Sequence, residues 1–175
     1  MVVIRLGAVA GAVVAVLFGW WGSLLATSEG LNVDQRALVD DAIALLDDRG
    51  FARQAFVLRH FTSFRSTDNW WNLYNDHYQA YAATNFPFEI VTLYPWFFEL
   101  PQDDVERAVV LLHESHHLLG ADEAKALREV WREKDELGWT ANVYGRSKVW
   151  KNTREWTEYS APELFSCQED DDCDP

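Results

Sequence analysis

The sequence predicts an α+β domain that is mainly helical and is preceded by one membrane-spanning helix. Three observations lead to this fold class. A charge-free apolar stretch covers residues 6–26. Apolar residues recur at helical spacing in residues 33–50, and helix start and stop signals frame further helices between residues 101 and 137. Residues 88–94, FEIVTLY, are β-branched and aromatic, which is typical of a strand.

The length and charge of the chain limit what it can bind. Its 175 residues allow one domain with a real core plus an appendage. Its net charge is −13, which argues against nucleic acid as a partner because phosphate binding needs clustered Lys and Arg. The one mildly basic stretch, residues 146–154, is interpreted as a solvated face.

The apolar stretch at the N-terminus predicts an uncleaved anchor. Residues 6–26 match the length of about 20 apolar residues that a helix needs to cross a bilayer. The apolar region of a cleavable signal peptide is shorter, about 7–15 residues. Cleavage after Ala26 would leave Leu24 at a position that favours small residues. The alternative is a secreted protein, released after signal cleavage.

The residues that flank this stretch predict its orientation. Arg5 precedes it, whereas Glu29 and Asp34 follow it. The positive-inside rule then places residues 1–5 in the cytoplasm and the domain outside, as a single-pass membrane protein. Gly7 and Gly11 form a GxxxG pair, a spacing that supports a weak homodimer through the anchor.

The remaining chain is divided by composition. Residues 27–32 form a short polar linker, residues 33–166 form the domain, and residues 167–175 form an acidic tail. The tail carries both cysteines, Cys167 and Cys173, at a spacing that fits no common zinc pattern. The sequence leaves open whether these two cysteines form a disulfide, which an extracytoplasmic location would favour.

Four elements are predicted in the first half of the domain. Residues 33–50 predict a helix that ends at its glycine, and residues 51–62 extend into a second helix. Residues 66–71 are interpreted as a loop, with Asp68 as an N-cap. The loop leads into residues 72–83, which are predicted to be helical with an aromatic face.

The second half contains the strand and two consecutive helices. The strand at residues 88–94 is ended by Pro95. A long helix is predicted at about residues 102–119, and the next helix at about residues 122–137. Residues 138–165 are rich in turn formers and aromatic residues, and they carry no clear pattern.

The end of the long helix carries the motif His-Glu-x-x-His. His113 and His117 lie four residues apart, so a helix presents both imidazoles on one face. Two such imidazoles can bind one Zn²⁺. Glu114 would lie beside the metal and take a proton from water. The alternative is a helix with two hydrogen-bonded histidines and no metal.

A catalytic zinc ion needs a third protein ligand. Glu123 is the main candidate, because Gly120 allows the chain to turn and the first turn of the next helix can bring a carboxylate back to the metal. His116 points away from the pair and is predicted to be a supporting or surface residue. Further candidate ligands, in decreasing order of preference, are Glu129 and Glu133, and then His60 and His77.

The segment HESHHLLGADE resembles the active-site motif of the zincin zinc metallopeptidases, and the resemblance covers residues 88–136. The spacing is similar to that of the metzincins, but Glu123 stands where metzincins use His or Asp. The only methionine is Met1, so the Met-turn of that subgroup is missing. A glutamate ligand is similar to the gluzincins, whose usual spacing is longer. The resemblance is therefore to a gluzincin-like protein with a short motif and no well-known subgroup.

This resemblance implies a zincin-like domain that binds Zn²⁺ through His113, His117 and Glu123. It also implies that Glu114 is the general base. Such enzymes need a donor to the oxyanion, often a tyrosine or a histidine. Tyr144 and Tyr159 both lie in the C-terminal segment that could cover the cleft, and the sequence does not choose between them.

We therefore expect a membrane-anchored zinc peptidase that cleaves a peptide or protein substrate outside the cytoplasm. One alternative is a zinc-stabilised scaffold without turnover, in which a fourth protein ligand from His60, His77 or Glu129 closes the site. Another alternative is a metal-free, membrane-anchored interaction protein. The sequence does not identify the substrate or the cleavage specificity.

Overall fold

The chain is mainly helical with one small sheet, in a computed structural model that describes residues 2–74 and 80–165. This confirms a mainly helical α+β fold preceded by an apolar helix. The helices are α1 (Val2–Ala26), α2 (Val33–Asp48), α3 (Ala52–His60), α4 (Pro95–Glu99), α5 (Asp104–Leu118), α6 (Glu123–Glu133), α7 (Ala141–Tyr144) and α8 (Lys148–Ser160). The strands are β1 (Ser63–Arg65), β2 (Ala82–Asn85) and β3 (Ile90–Leu93), and short 3₁₀ turns cover Asn72–Tyr74 and Pro162–Phe165.

The three strands form a mixed sheet with β3 in the centre. Strand β1 pairs with β3 in parallel, whereas β2 pairs with β3 antiparallel, so that Thr84 lies opposite Val91. All four residues of β3 are buried. Within the described part of the chain, no strand pairs with the outer edge of β2. Its outward-facing backbone groups are therefore not used by the sheet.

Helix α5 runs through the core and carries the His-Glu-x-x-His motif. The carboxylate of Asp103 accepts hydrogen bonds from the backbone N–H groups of Val105 and Glu106, which caps the helix start. Residues 108–112 are all buried, and α5 packs against α2, α3 and α6. The motif therefore follows a segment that is held rigidly on several sides.

The C-terminal part of the chain packs against α6 through aromatic side chains. The ring centroids of Trp139 and Trp150 lie 4.6 Å apart, and those of Trp131 and Trp150 lie 5.1 Å apart. Helix α8 is capped by Ser147, whose hydroxyl accepts from the N–H of Trp150. These contacts fix α8 beside α6 and leave its other side toward the space between α5 and β2.

Helix α1 is long and apolar enough to span a membrane between Val9 and Ala26, a property that an N-terminal signal sequence shares. Its last turns are joined to the domain. Leu24 is fully buried and packs with Phe88 and Ile90. The guanidinium of Arg65 donates hydrogen bonds to the backbone carbonyls of Leu25 and Ser28, which lie at the end of the helix.

Several predicted boundaries differ from the structure. The helix predicted at residues 102–119 begins at Asp104 because Asp103 caps it. The helix predicted at residues 122–137 ends at Glu133, and the strand predicted at residues 88–94 is limited to Ile90–Leu93. Helix α3 is shorter than the predicted range 51–62.

The largest error concerns residues 72–83. Of the residues described in this range, 72–74 and 80–83, the first three form the 3₁₀ turn Asn72–Tyr74, and Ala82 already belongs to β2, because pairing with β3 overrides local preference. The Asp68 carboxylate accepts a hydrogen bond from the Tyr94 hydroxyl, and the side chain of Asn69 accepts from the N–H of Asn72 at the start of the 3₁₀ turn. The tail at residues 167–175, with Cys167 and Cys173, lies outside the described residues.

Candidate metal centre

Two imidazole nitrogens meet at the C-terminal end of α5. The Nε2 atoms of His113 and His117 are 3.1 Å apart, and their rings meet edge to face with centroids 4.7 Å apart. The four-residue spacing on one helix produces this convergence. Both rings are largely but not completely buried, so they face a space that solvent or a ligand can reach.

The chain reverses directly after this pair through a Schellman motif. The N–H of Gly120 bonds to the carbonyl of His117, and the N–H of Ala121 bonds to the carbonyl of His116. Gly120 has a φ of 88°, in the left-handed region that favours glycine. Asp122 then caps α6 by accepting a hydrogen bond from the N–H of Lys125.

The reversal brings Glu123, the first residue of α6, back to the two imidazoles. Its Oε2 lies 3.1 Å from Nε2 of His117, and its Oε1 lies 3.5 Å from Nε2 of His113. These three residues could hold a metal ion, since one ligand atom from each lies within 4.8 Å of the others. The structure thus brings together the three residues that the sequence predicts as ligands.

The distances within the cluster are close to those of a tetrahedral zinc site. Zinc–ligand bonds of about 2.0–2.1 Å require neighbouring ligand atoms to lie about 3.3 Å apart. Nε2 of His117 lies 3.1 Å from Nε2 of His113 and 3.1 Å from Oε2 of Glu123, and the other carboxylate oxygen of Glu123, Oε1, lies 3.5 Å from Nε2 of His113. Two imidazoles and one carboxylate also form a donor set that zinc accepts. The residues present therefore fit the metal that the motif predicts.

A backbone carbonyl fixes the orientation of His117. Its Nδ1 lies 3.0 Å from the carbonyl oxygen of Ala121, which can only accept, so Nδ1 carries the proton and donates it. In the neutral ring, Nε2 is then the unprotonated nitrogen and is free to bind a metal. The Schellman motif supplies this carbonyl, so one turn positions both His117 and Glu123.

The electrostatics of the cluster favour a cation between the three side chains. Burial alone lowers the pKa of His117, but the hydrogen bond to Glu123 and the charge of Glu114 outweigh it and raise that pKa to about 9. Hydrogen bonds from His113 and His117 hold the pKa of Glu123 well below its usual range. In the metal-free protein a proton thus occupies the place where a metal ion would bind.

Glu114 lies beside the cluster and points toward the sheet. It is buried, and its Oε2 accepts a hydrogen bond of 2.7 Å from the hydroxyl of Thr84 on β2. This hydrogen bond uses one of the two carboxylate oxygens. Thr84 therefore fixes a carboxylate next to the candidate metal ligands.

These groups line a cavity of about 1080 Å³ between β2, α5, α6 and α8. The charged residues that line it are glutamates. The two histidines of the motif also line it and can bind a metal. Most of its remaining wall is apolar. The residues that form the wall opposite the candidate ligands include Tyr81, Ala83, Thr84, Thr153, Trp156 and Tyr159. A cavity of this size holds a segment of peptide or a ligand of similar dimensions.

The other candidate ligands lie elsewhere. Nε2 of His116 is 3.1 Å from Oε2 of Glu133, so these two residues pair with each other instead of joining the cluster. Glu129 does not line the cavity. His60 packs against the ring of Phe56, with centroids 4.8 Å apart, and His77 lies outside the described residues.

The two tyrosines proposed as oxyanion donors differ in position. Tyr144 is buried and donates its hydroxyl hydrogen bond to Asp103, away from the cavity. Tyr159 lines the cavity and is 90 % exposed. A third phenol, that of Tyr81, also lines the cavity and accepts a hydrogen bond from the amide of Asn152.

Three supporting groups were not anticipated from the sequence. These are the Thr84 hydroxyl, the Ala121 carbonyl and the Tyr81 phenol. Tyr81 and the first two residues of β2 fall in the range 72–83 that was predicted as helical, and this error hid the position of Tyr81 and of Thr84, which follows that range. The Ala121 carbonyl could have been inferred, because a glycine after His117 predicts a Schellman turn.

Comparison with protein families, with curated proteins and with solved structures finds no match for this chain.

Proposed function

We propose that the protein is a membrane-anchored, zinc-dependent peptidase. The single observation that carries this proposal is the convergence of the His113, His117 and Glu123 ligand atoms in an open cavity beside Glu114. Such a site has three protein ligands and leaves a coordination position free, as catalytic zinc sites do. Bound zinc would supply Lewis acidity, which makes a water molecule acidic near neutral pH and polarises a carbonyl group.

The chain's own residues would then perform the proton transfers. The carboxylate of Glu114 would accept a proton from the attacking water and deliver it to the leaving amine. The Thr84 hydroxyl holds one oxygen of that carboxylate and so orients the other. Tyr159 and Tyr81 are the phenols available to hydrogen-bond the oxyanion, because both line the cavity.

The open edge of β2 supports a peptide as the substrate. Residues 82–84 line the cavity, and within the described chain no strand pairs with the outer edge of β2. An extended peptide can add to such an edge through backbone hydrogen bonds, which recognise its main chain irrespective of sequence. The scissile carbonyl would then be held beside the candidate metal ligands.

A closed structural zinc site is less well supported. It would need a fourth protein ligand, and among the described residues no further His, Cys, Asp or Glu joins the cluster. Glu129 does not line the cavity, and His60 packs against Phe56. The cavity next to the three ligands instead provides room for a substrate.

The anchor is proposed to remain attached. Removal of α1 after Ala26 would expose the surface that buries Leu24 and would leave Arg65 without the carbonyl of Leu25. It would also separate Trp20 from Trp70. We propose the orientation in which the N-terminus is cytoplasmic, following Arg5. The mass of the mature protein isolated from membranes tests retention of the anchor.

The experiment that tests the peptidase proposal is hydrolysis of a mixed peptide library by the full chain with zinc, compared with its Glu114→Gln variant. We expect wild-type hydrolysis and a loss of roughly 100-fold or more in kcat for the variant, because it lacks the base. Both proteins should bind zinc equally. Glu129→Gln, the same substitution on α6 outside the cavity, is the matched control. Equal hydrolysis by wild type and Glu114→Gln would contradict the proposal.

A further inference from the structure

An aromatic surface surrounds the point where α1 joins the domain. Trp20 of α1 packs against Trp70, Trp71 and Phe88, with ring centroids 6.2, 5.2 and 5.8 Å away. The indole N–H of Trp70 also donates a hydrogen bond to the hydroxyl of Ser23. The loop before the 3₁₀ turn is thereby attached to the helix.

Further aromatic side chains extend this surface into solvent. Phe61 is 61 % exposed and lines a hollow with Leu17, Phe18 and Trp21 of α1. Phe86 is 58 % exposed. The interfacial surface defined in this way consists of five exposed aromatic residues, Trp20, Phe61, Trp70, Trp71 and Phe86, and of the buried Phe88, which packs against Trp20 and Trp71. Apolar side chains that are grouped in this way and exposed to water mark an interaction site.

The length of α1 that precedes its covered last turn determines what covers this surface. From Gly22 to Leu25 the helix is at least partly covered by the domain. Residues 6–21, the charge-free part that precedes this segment, rise about 24 Å. That is less than the roughly 30 Å of a bilayer's hydrocarbon core. No length of helix is therefore left to hold the domain away from the lipid.

We propose that the interfacial surface docks into the headgroup layer of the membrane that α1 spans. Trp and Phe side chains at the end of a spanning helix belong at this level, since the amphipathic indole prefers the interface. Glu89 follows Phe88 directly and lines the hollow against α1. Its carboxylate would keep this surface among the headgroups and out of the hydrocarbon. The acidic domain favours zwitterionic over anionic lipid.

The turn at residues 86–89 connects the interfacial surface to the large cavity. Phe86 lines the large cavity, whereas Pro87, Phe88 and Glu89 line the hollow against α1. A docked surface would hold one rim of the cavity at the bilayer. This step rests on the proposed peptidase function. If that function holds, the substrates are peptide segments close to the membrane surface.

Depth-dependent quenching in the full chain tests the docking. A fluorophore that responds to polarity is attached at Phe61→Cys or Phe86→Cys, in a background of Cys167→Ser and Cys173→Ser. The protein is placed in phosphatidylcholine vesicles that carry a nitroxide on the headgroup. Val143→Cys is the matched control, because Val143 is 66 % exposed and lies outside the interfacial surface. Val14→Cys is measured in vesicles that carry the nitroxide deep in the acyl chain. Its quenching reports whether α1 spans the bilayer.

We expect emission to fall by roughly half at positions 61 and 86, because aromatic residues at the membrane interface lie at the headgroup level. Emission at position 143 should change little. Equal quenching at all three positions, with Val14→Cys quenched by the deep nitroxide, would overturn the docking proposal. A lack of quenching at Val14→Cys would overturn the anchor and the docking together. Hydrolysis is not needed for these readings, so a failure of the peptidase proposal would be seen separately.

Discussion

The Nδ1 atom of His117 donates a hydrogen bond to the carbonyl oxygen of Ala121, 3.0 Å away. This bond joins the last turn of α5 to the loop that follows it. The same loop brings Glu123 within 3.1 Å of His117. The two ligands of the proposed metal centre thus depend on one backbone conformation, which Gly120 adopts at a φ of 88°.

Substitution Gly120→Ala should therefore weaken zinc binding without removing a ligand. An L-residue in the left-handed region costs about 1–2 kcal/mol, and relief of this strain would move the Ala121 carbonyl and Glu123. We expect zinc affinity to fall by roughly 10-fold to 100-fold, the range found for groups that orient metal ligands. Competition with a chromogenic chelator measures this change.

Gly50→Ala provides a matched control for this effect. Gly50 has a φ of 95°, and like Gly120 it has no heavy atom within 4 Å of an added Cβ. Both variants should lose similar thermal stability, but Gly50→Ala should retain wild-type zinc affinity. Equal zinc affinity in the two variants would contradict the role of the Schellman turn.

The metal-free protein should lose stability as the pH rises. The folded-state pKa of His117 is raised from 6.5 to about 9, so its contribution is fully present below pH 6.5 and lost as the pH rises through about 9. The pKa of Glu123 is lowered from 4.5, so its contribution is present above pH 4.5 and lost in stronger acid. Urea unfolding of the metal-free protein at pH 6 and pH 9.5 compares the two states.

Zinc binding should show the opposite trend with pH. The metal must displace the proton from His117, because only the unprotonated Nε2 can be a ligand. Between pH 6.5 and about 9, we expect zinc affinity to rise roughly tenfold per pH unit. A chelator competition at pH 6.5, 7.5 and 8.5 gives the slope, and an affinity that does not change with pH would refute proton displacement.

The Thr84 hydroxyl should affect catalysis more than metal binding. Thr84→Val removes the donor to Glu114 and keeps the shape of the side chain. We expect kcat for peptide hydrolysis to fall roughly tenfold, with unchanged zinc content. Thr157→Val is the control, because it removes a buried hydroxyl that bonds to the carbonyl of Thr153 in α8. Equal kcat values in the two variants would argue against orientation of Glu114 by Thr84.

His116 should stabilise the fold without binding zinc. It pairs with Glu133 across α5 and α6 at 3.1 Å. His116→Leu should lower the free energy of unfolding by about 1–3 kcal/mol, because a buried polar partner is lost, while zinc content stays at the wild-type level. His113→Leu makes the same chemical change one turn earlier and should abolish zinc binding. Loss of zinc in the His116 variant would show that the proposed location of the metal centre is wrong.

Much of the candidate site could be predicted from the sequence because it depends on local geometry. The spacing of His113 and His117 on one helix requires no tertiary information. Gly120 signals the end of that helix, and the turn it permits explains how Glu123 reaches the imidazoles. These residues lie within eleven positions of one another, so long-range packing has little influence on their arrangement.

The sheet was harder to predict because its strands are defined by long-range pairing. Only β3 is buried along its whole length and therefore shows a continuous apolar pattern. Ala82 and Ala83 favour helix locally, yet they pair with Leu93 and Thr92. Helix α8 was missed for another reason: threonines at positions 153 and 157 occupy buried positions of its core face and hide the apolar spacing.

The most direct test of the proposed centre is the zinc content of the full chain, measured by elemental analysis after purification in detergent and equilibration with zinc. We predict one zinc ion per chain in the wild type and its loss in both His113→Ala and Glu123→Ala. A wild-type protein that folds and binds no zinc would contradict the account, as would zinc retained at full affinity when Glu123 is replaced.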